Sequence, residues 1–277
     1  ELITVRRVIE IIAQKGDNGM KNALIRSFLT LAIVVMVTSV ASAATTTITA
    51  YPSQVPDEQP PRVNVGDFPT GYDVDSWQGP VAGAGNKTNW HARYIDDGDY
   101  LSDLFPAEAA TMTVADLAEV AYSTKRPTGL GAGEDWWVQI YTRPTGSGDK
   151  ASWYHDRFIN NYASHTALDT WEKYSTSTGM TFQSNGWGGP VMTLAEFITN
   201  HGSEEIMMFS VQTNSGWNGF DGYIDGLEVT LTNGSIGNVN FEDEPQVPAS
   251  GFWGILALSL AIASVLVLVV RRRFQTA

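Results

Sequence analysis

The chain has 277 residues, a formal net charge of −13 at pH 7 and no cysteine. The absence of cysteine excludes disulfides, thiolate metal sites and cysteine nucleophiles. The excess of acidic residues makes nucleic acid a poor partner, because an acidic surface repels the phosphate backbone.

The beginning of the chain has the pattern of a secretory signal peptide. A basic stretch begins at Met20, an apolar stretch follows it, and Ala41-Ser42-Ala43 is a small-residue cleavage site. We therefore expect a signal peptide over residues 20–43, removed after Ala43. Residues 1–19 lie upstream of that start, and we interpret them as leader sequence outside the natural protein.

The region that follows is strongly acidic. Between Ala44 and Ser250 there are nine Lys and Arg against twenty-seven Asp and Glu, a net charge of −18. Its length, about 200 residues, is that of one domain with a sizeable core. We divide it into an N-terminal extension with the first strands, 44–89, and a β-sandwich domain, 90–246.

Runs of aromatic and β-branched residues between turn residues predict antiparallel strands. The alternation of apolar and polar residues at 226–232 is followed by Asn233-Gly234, a hairpin signal that predicts a partner strand. The predicted strands cover residues 120–125, 136–142, 206–213, 226–232 and 235–241.

Only two short helices are predicted, each opened by a threonine cap: one from Thr113 to Glu119 and one from Thr193 to His201. Many strands, few helices and abundant glycine favour an all-β fold. We expect an antiparallel two-sheet sandwich of jelly-roll type.

Six spaced segments resemble those of uncharacterised exported jelly-roll domains of bacteria. Within residues 90–242 they are Thr113-Val114-Ala115-Asp116-Leu117-Ala118, Ala151-Ser152-Trp153-Tyr154, Met208-Phe209-Ser210-Val211-Gln212-Thr213 with Ser215-Gly216-Trp217, and Asp225-Gly226-Leu227 with Val239-Asn240-Phe241-Glu242. The resemblance implies a jelly roll. The lectin-like and galactose-binding-like sandwiches of similar shape mostly bind carbohydrate, which is an analogy of fold and not of site.

Tryptophans supply the candidate binding residues. An indole ring stacks on the apolar face of a sugar, and nearby polar groups bind the hydroxyls. Trp187 and Trp217 lie among glycine and asparagine, so we expect both in exposed loops, with Asn218 beside them. Trp136 and Trp137 must point to opposite faces of a strand, one into the core, and Trp137 is the further candidate. The alternative is that all of these tryptophans fill the core.

Carboxylates on glycine-containing turns are candidate metal ligands. Asp96, Asp97 and Asp99 form one such turn, and the stretch from Asp221 to Asp225 forms another. Neither has the ligand spacing of a helix-loop-helix calcium site, and solvated acidic turns are common. We expect no cofactor, with calcium as the open alternative.

The rival to a binding or structural protein is a carbohydrate-active enzyme, a β-sandwich lyase or glycoside hydrolase. Its candidate residues are Glu134, Asp135, Glu228, Tyr154 and His155. Paired carboxylates about 5 to 10 Å apart in a cleft would favour the hydrolase. A groove without convergent titratable groups would favour the binder.

The chain ends in an apolar segment followed by basic residues. Gly251 to Val270 is a run of twenty residues without a charge, and at about 1.5 Å per residue it spans the roughly 30 Å core of a bilayer. Arg271, Arg272 and Arg273 favour the cytoplasmic side. We expect one transmembrane helix, with the preceding domain on the opposite side of the membrane.

Residues 247–277 also resemble the C-terminal sorting tails of Gram-negative bacteria, the PEP-CTERM type and the related IPTL-CTERM type. Val247-Pro248 and Trp253-Gly254 match the second type, whereas residues 249–252 depart from it. The resemblance implies recognition and cleavage by a membrane protease or transpeptidase. The alternative is a permanent anchor. The sequence thus predicts an exported, surface-sorted protein, with a structural or carbohydrate-binding role in the envelope or extracellular matrix.

Overall fold

The computed structural model describes residues 43–55, 58–94, 99–131, 133–144, 156–162, 165–184 and 189–245. Thirteen strands and two short α-helices are found in these ranges. The strands are β1 (Thr45–Ala50), β2 (Arg62–Val65), β3 (Asp75–Gln78), β4 (Asn89–Arg93), β5 (Leu117–Lys125), β6 (Trp137–Pro144), β7 (Asp156–Asn160), β8 (Glu172–Ser175), β9 (Phe182–Ser184), β10 (Val191–Met192), β11 (Glu204–Gln212), β12 (Tyr223–Leu231) and β13 (Ile236–Phe241). The helices are α1 (Tyr100–Leu104) and α2 (Leu194–His201).

All of these strands belong to one compact unit, Thr45–Thr232 with Ile236–Ala277. A second unit, Glu1–Ala44 with Asn233–Ser235, is described only at residues 43, 44 and 233–235. There Gly234 has a φ of 90°, and the backbone N–H of Ser235 donates to Asn233 Oδ1 at 2.8 Å.

The first sheet has seven strands, with β12 at its centre. β12 pairs antiparallel with β13 on one side and with β5 on the other, and β3 pairs with its first residues. β8 extends the sheet beyond β5, and β2 extends it beyond β3. β1 lies parallel to β13, so strands from the two ends of the described chain are neighbours.

The second sheet has six strands in the order β10, β9, β7, β6, β11 and β4, and every neighbouring pair is antiparallel. Side chains of both sheets meet in one hydrophobic core. Phe241 of the first sheet contacts Trp77 of its own sheet at 4.7 Å and Trp90 of the second sheet at 5.5 Å between ring centroids. The chain therefore has a mostly β, two-sheet, sandwich-like fold.

The five predicted strands are confirmed as β5, β6, β11, β12 and β13. In β12 the side chains of Leu227, Val229 and Leu231 are buried, whereas those of Glu228 and Thr230 are partly exposed. This alternation is the pattern of a strand with one face on a core. Eight further strands are shorter or more polar, and the sequence predicts no bounds for them. Three of these, β1, β2 and β3, lie within residues 44–89, where the first strands are expected.

The helix predicted from Thr193 is confirmed as α2, and its capping box forms, because the side chain of Glu196 accepts from the backbone N–H of Thr193 at 2.8 Å. The helix predicted from Thr113 to Glu119 is wrong. It is a single 3-10 turn, Val114–Asp116, after which β5 begins. The side chain of Asp116 accepts there from the backbone N–H of Thr113 at 2.8 Å, but packing of Leu117 and the residues after it against the core gives the chain a strand period.

No helix in the ranges that the structure describes has the length and apolar character needed to cross a membrane. The predicted transmembrane segment, residues 251–270, lies outside those ranges.

Candidate functional site

A groove of about 490 Å³ lies on the outer face of the first sheet. Five neighbouring strands, β1, β13, β12, β5 and β8, each contribute an outward-facing polar side chain to it. The loop before β3 and Trp171, just before β8, form its walls. The residues that line it are Thr47, Pro69, Thr70, Gly71, Tyr72, Asp73, Ser123, Trp171, Glu172, Lys173, Glu228, Asn238 and Asn240.

The floor of the groove is polar because of strand register. Thr47 pairs with Asn238, and Asn238 pairs with Glu228, so that three polar side chains lie in one row across β1, β13 and β12. Lys173 Nζ lies 3.2 Å from Glu228 Oε1. The next polar position on β13, Asn240, follows two residues after Asn238 and lies on the same face.

Two aromatic side chains stand in the walls. Tyr72 is half-buried and packs against Gly226, which has a φ of 69° and lies where the register of β12 and β5 shifts. This shift is a β-bulge, and glycine is the residue that adopts such a backbone without strain. The indole N–H of Trp171 donates to Asp67 Oδ1 at 2.8 Å, and Asp67 is also paired with Lys125. Both rings are therefore held in place before any ligand arrives.

Two carboxyl groups with raised pKa values lie next to the groove. Burial is the main reason that the pKa of Asp225 is raised to about 8; two backbone N–H donors act to lower this pKa, and the neighbouring Glu242 and Asp73 act to raise it. Asp225 Oδ1 accepts from Gly226 N at 2.7 Å and from Phe241 N at 3.0 Å. Burial likewise raises the pKa of Glu242 to about 7.

Glu242 is hydrogen-bonded to a residue of the groove. Its Oε1 accepts from Asn240 Nδ2 at 2.6 Å, and its Oε2 accepts from the backbone N–H of Asp75 at 3.0 Å. Asn240 is thereby oriented with its amide nitrogen toward Glu242. Its Oδ1 is closed to solvent and has no hydrogen-bond partner among the described residues, and the same holds for Oδ1 of Asn238.

Of the tryptophans predicted to form a platform, Trp217 and Trp137 lie together on the outer side of the second sheet. Their rings meet edge to face at 5.6 Å, and Tyr162 stacks on Trp137 at 5.0 Å. Trp217 is partly buried and Asn218 beside it is exposed, with a φ of 56°. Trp187 lies outside the described residues. The platform stays a prediction, and none of its described members lines the groove.

The adjacent tryptophans point to opposite faces, as strand geometry requires. Trp136 is fully buried in the core, and its indole N–H donates to the backbone oxygen of Gly222 at 2.9 Å. Trp137 lies on the other face, in a separate small cluster with Ile159 and Tyr162.

The outer face of the second sheet is polar but buried. Gln212 Nε2 donates to Tyr141 OH at 2.9 Å, Ser210 Oγ donates to Asn89 Oδ1 at 3.2 Å, and Gln139 is only 3% exposed. These side chains are closed to solvent in the structure. The groove on the first sheet is open, and it is the better candidate site.

The carboxylates proposed for an enzyme do not converge. Asp135 is fully buried, and its Oδ2 lies 2.9 Å from His165 Nδ1 and accepts from Thr124 Oγ1 at 2.8 Å. Glu134 accepts from the backbone N–H of Gly131, which closes a turn. Only Glu228 lines the groove. The other two candidates, Tyr154 and His155, lie outside the described residues.

Asp99 caps α1, since its carboxylate accepts from the backbone N–H and the hydroxyl of Ser102 at 3.1 and 2.7 Å. Asp96 and Asp97 lie outside the described residues. Within the described ranges no three His, Asp or Glu side chains come together in a way that could hold a metal ion.

The residues of the predicted sorting tail also lie outside the described ranges; they are Val247, Pro248, Trp253, Gly254, Arg271, Arg272 and Arg273. No protein-family model, curated protein or solved structure matches the chain.

Sequence reasoning missed most of the groove. The alternation in β12 and β13 was a usable signal for Glu228, Asn238 and Asn240, because outward polar residues on paired strands form one surface. Tyr72 and Trp171 carry no such signal, since only the fold brings their loops to the same face.

Proposed function

We propose that this chain is an exported carbohydrate-binding protein and that its groove on the first sheet holds the glycan. The two sheets would then form a jelly roll of the lectin-like or galactose-binding-like kind. The observation that carries the proposal is the position of Tyr72 and Trp171 beside a polar floor built from five strands.

The chemistry of this floor suits a sugar. A pyranose ring offers an apolar face to an aromatic ring and a rim of hydroxyls to amides, carboxylates and ammonium groups. Asn238, Asn240, Glu228 and Lys173 supply those groups within a single groove. Side chains on paired strands are held more rigidly than side chains on loops, which lowers the entropy lost on binding.

Export and sorting rest on the sequence alone. The pattern at residues 20–43 supports passage across the inner membrane, and the tail at 247–277 supports recognition by a membrane sorting protease or transpeptidase. A glycan-binding domain delivered by such a route would act at the cell surface or in the extracellular matrix.

The test is a glycan array probed with the full chain in a detergent that has no sugar headgroup. We expect wild type to bind at least one class of glycan and Trp171→Ala to lose about five- to thirtyfold in affinity, because stacking and burial on one ring contribute of the order of 1 to 2 kcal/mol. Trp217→Ala is the matched control, because Trp217 is also partly buried but lies outside the groove. A silent array, or equal loss in both variants, would contradict the proposal.

Hydrolysis is the second candidate, because Glu172 and Glu228 both line the groove. Each already has a partner, since Tyr174 OH donates to Glu172 at 3.0 Å and Lys173 lies beside Glu228. This arrangement favours binding. Incubation of wild type and Glu228→Gln with the glycans that bind, followed by chain-length analysis, separates the two functions: shortening by wild type alone would identify a hydrolase.

A further inference from the structure

The charges of the groove point to a class of glycan. Among the described residues, three carboxylates line it, those of Asp73, Glu172 and Glu228, against one ammonium, that of Lys173. This excess of negative charge would repel an anionic sugar and attract a protonated amine.

The acceptors that the groove offers to a ligand are mainly the oxygens of these three carboxylates. Oδ1 of Asn238 and of Asn240 also has no donor among the described residues, but both atoms are closed to solvent. An ammonium group carries three N–H donors and no acceptor, so it complements such a surface better than a carboxylate or sulfate does.

Lys173 marks where a cation can sit. Its Nζ lies 3.2 Å from Glu228 Oε1, but its side chain is 51% exposed. An exposed ion pair of this kind contributes little to stability, so a ligand amine can displace the lysine at small cost.

We propose that the groove selects glycans with free amino groups, such as partly deacetylated amino-sugar polymers, with Glu228 as the carboxylate that receives the ammonium. This inference rests on the proposed carbohydrate-binding function and narrows its ligand.

The experiment measures binding of the full chain by calorimetry in mildly acidic buffer, with three probes of matched length: oligomers of glucosamine, of N-acetylglucosamine and of galacturonic acid. We expect the glucosamine oligomer to bind at least about tenfold more tightly than the neutral oligomer, because a charge-assisted hydrogen bond is stronger than a neutral one. Its affinity should fall with added salt. The galacturonic acid oligomer should bind most weakly.

Variants locate the preference. Glu228→Gln should reduce the advantage of the glucosamine oligomer by about tenfold, and Lys173→Met should increase its affinity by removing the competing ammonium. The matched controls are Glu58→Gln and Lys87→Met, which alter an ion pair of 2.7 Å outside the groove. Melting curves of all four variants exclude misfolding as the cause.

The outcomes separate this inference from the function on which it rests. If the neutral or acidic oligomer binds as tightly as the glucosamine oligomer, and Trp171→Ala removes that binding, the charge preference is wrong and the glycan site stands. If none of the three probes binds and the array also shows no bound glycan, both the preference for amino groups and the glycan-binding function are contradicted. If Glu228→Gln and Glu58→Gln have equal effects, Glu228 is not the receiving carboxylate.

Discussion

The ring of Tyr72 rests on Gly226 so closely that a β-carbon on this glycine would lie 2.3 Å from two ring carbons, Cε2 and Cζ. Gly226 also has a φ of 69°, a conformation that other residues adopt at a cost. The position of one groove wall therefore depends on the absence of a side chain on the central strand of the sheet.

Gly226→Ala should both destabilise the domain and weaken glycan binding. The backbone strain costs about 1 to 2 kcal/mol, and displacement of Tyr72 adds to it. Gly66→Ala is the matched control, because Gly66 has a φ of 72° but nothing within 4 Å of an added β-carbon. Denaturant titration and glycan binding should show a smaller loss of stability and no loss of binding in the control. Equal stability of the two variants would contradict the packing of Tyr72 on Gly226.

Stability should fall as pH rises from about 5 to about 9. The folded-state pKa values of Asp225, about 8, and Glu242, about 7, lie above the values of about 4 that these groups have in an unfolded chain. The folded state then holds protons that the unfolded state has released, so this contribution is present at acidic pH and is lost as pH rises through the raised pKa values. The carboxyl groups with lowered pKa values, such as that of Asp67, change the stability only at lower pH.

Melting temperatures of wild type and Asp225→Asn across this range measure the effect. The asparagine keeps an oxygen for the two backbone N–H donors but carries no charge. Between about pH 5 and about pH 9 the melting temperature of Asp225→Asn should therefore fall by several degrees less than that of wild type, although at acidic pH the variant should melt at a lower temperature than wild type. Parallel curves for wild type and Asp225→Asn would show that Asp225 does not titrate in this range.

Much of the sheet could be predicted from sequence, because a strand with one face on the core imposes a period of two. The sequence therefore predicts that the side chain of Glu228 points away from the core. Tyr72 does not, since its place depends on a loop that pairing of distant strands brings over Gly226. The helix predicted from Thr113 is wrong for the same reason. Its capping residues are typical of a helix N-terminus, but the residues after them form a strand because they pack against parts of the chain that are distant in sequence.

Trp217→Ala should lower stability without affecting the groove. The ring of Trp217 contacts Trp137 at 5.6 Å and Phe220 at 5.0 Å, but it is only partly buried. Its loss should therefore cost less than the about 3 to 5 kcal/mol expected for a fully buried tryptophan such as Trp77. Urea unfolding of Trp217→Ala and Trp77→Ala tests this order. No change in the first variant would show that the ring contributes nothing to the fold.

The cell-associated protein should begin at Ala44. Cleavage after Ala43 would leave one residue before β1, which starts at Thr45 and pairs with β13 along its whole length. Intact-mass spectrometry and N-terminal sequencing of the natural product decide it, and a protein that still carries Met20 would contradict signal cleavage.

Hydroxyl-radical footprinting of the full chain, read by mass spectrometry with and without the glycan that binds most tightly on the array, tests the groove most directly. Trp171 and Tyr72 should be protected by the glycan, and oxidation of Trp217 should not change. Protection of Trp217, with Trp171 and Tyr72 unaffected, would place the glycan on the second sheet and contradict the groove as the binding site.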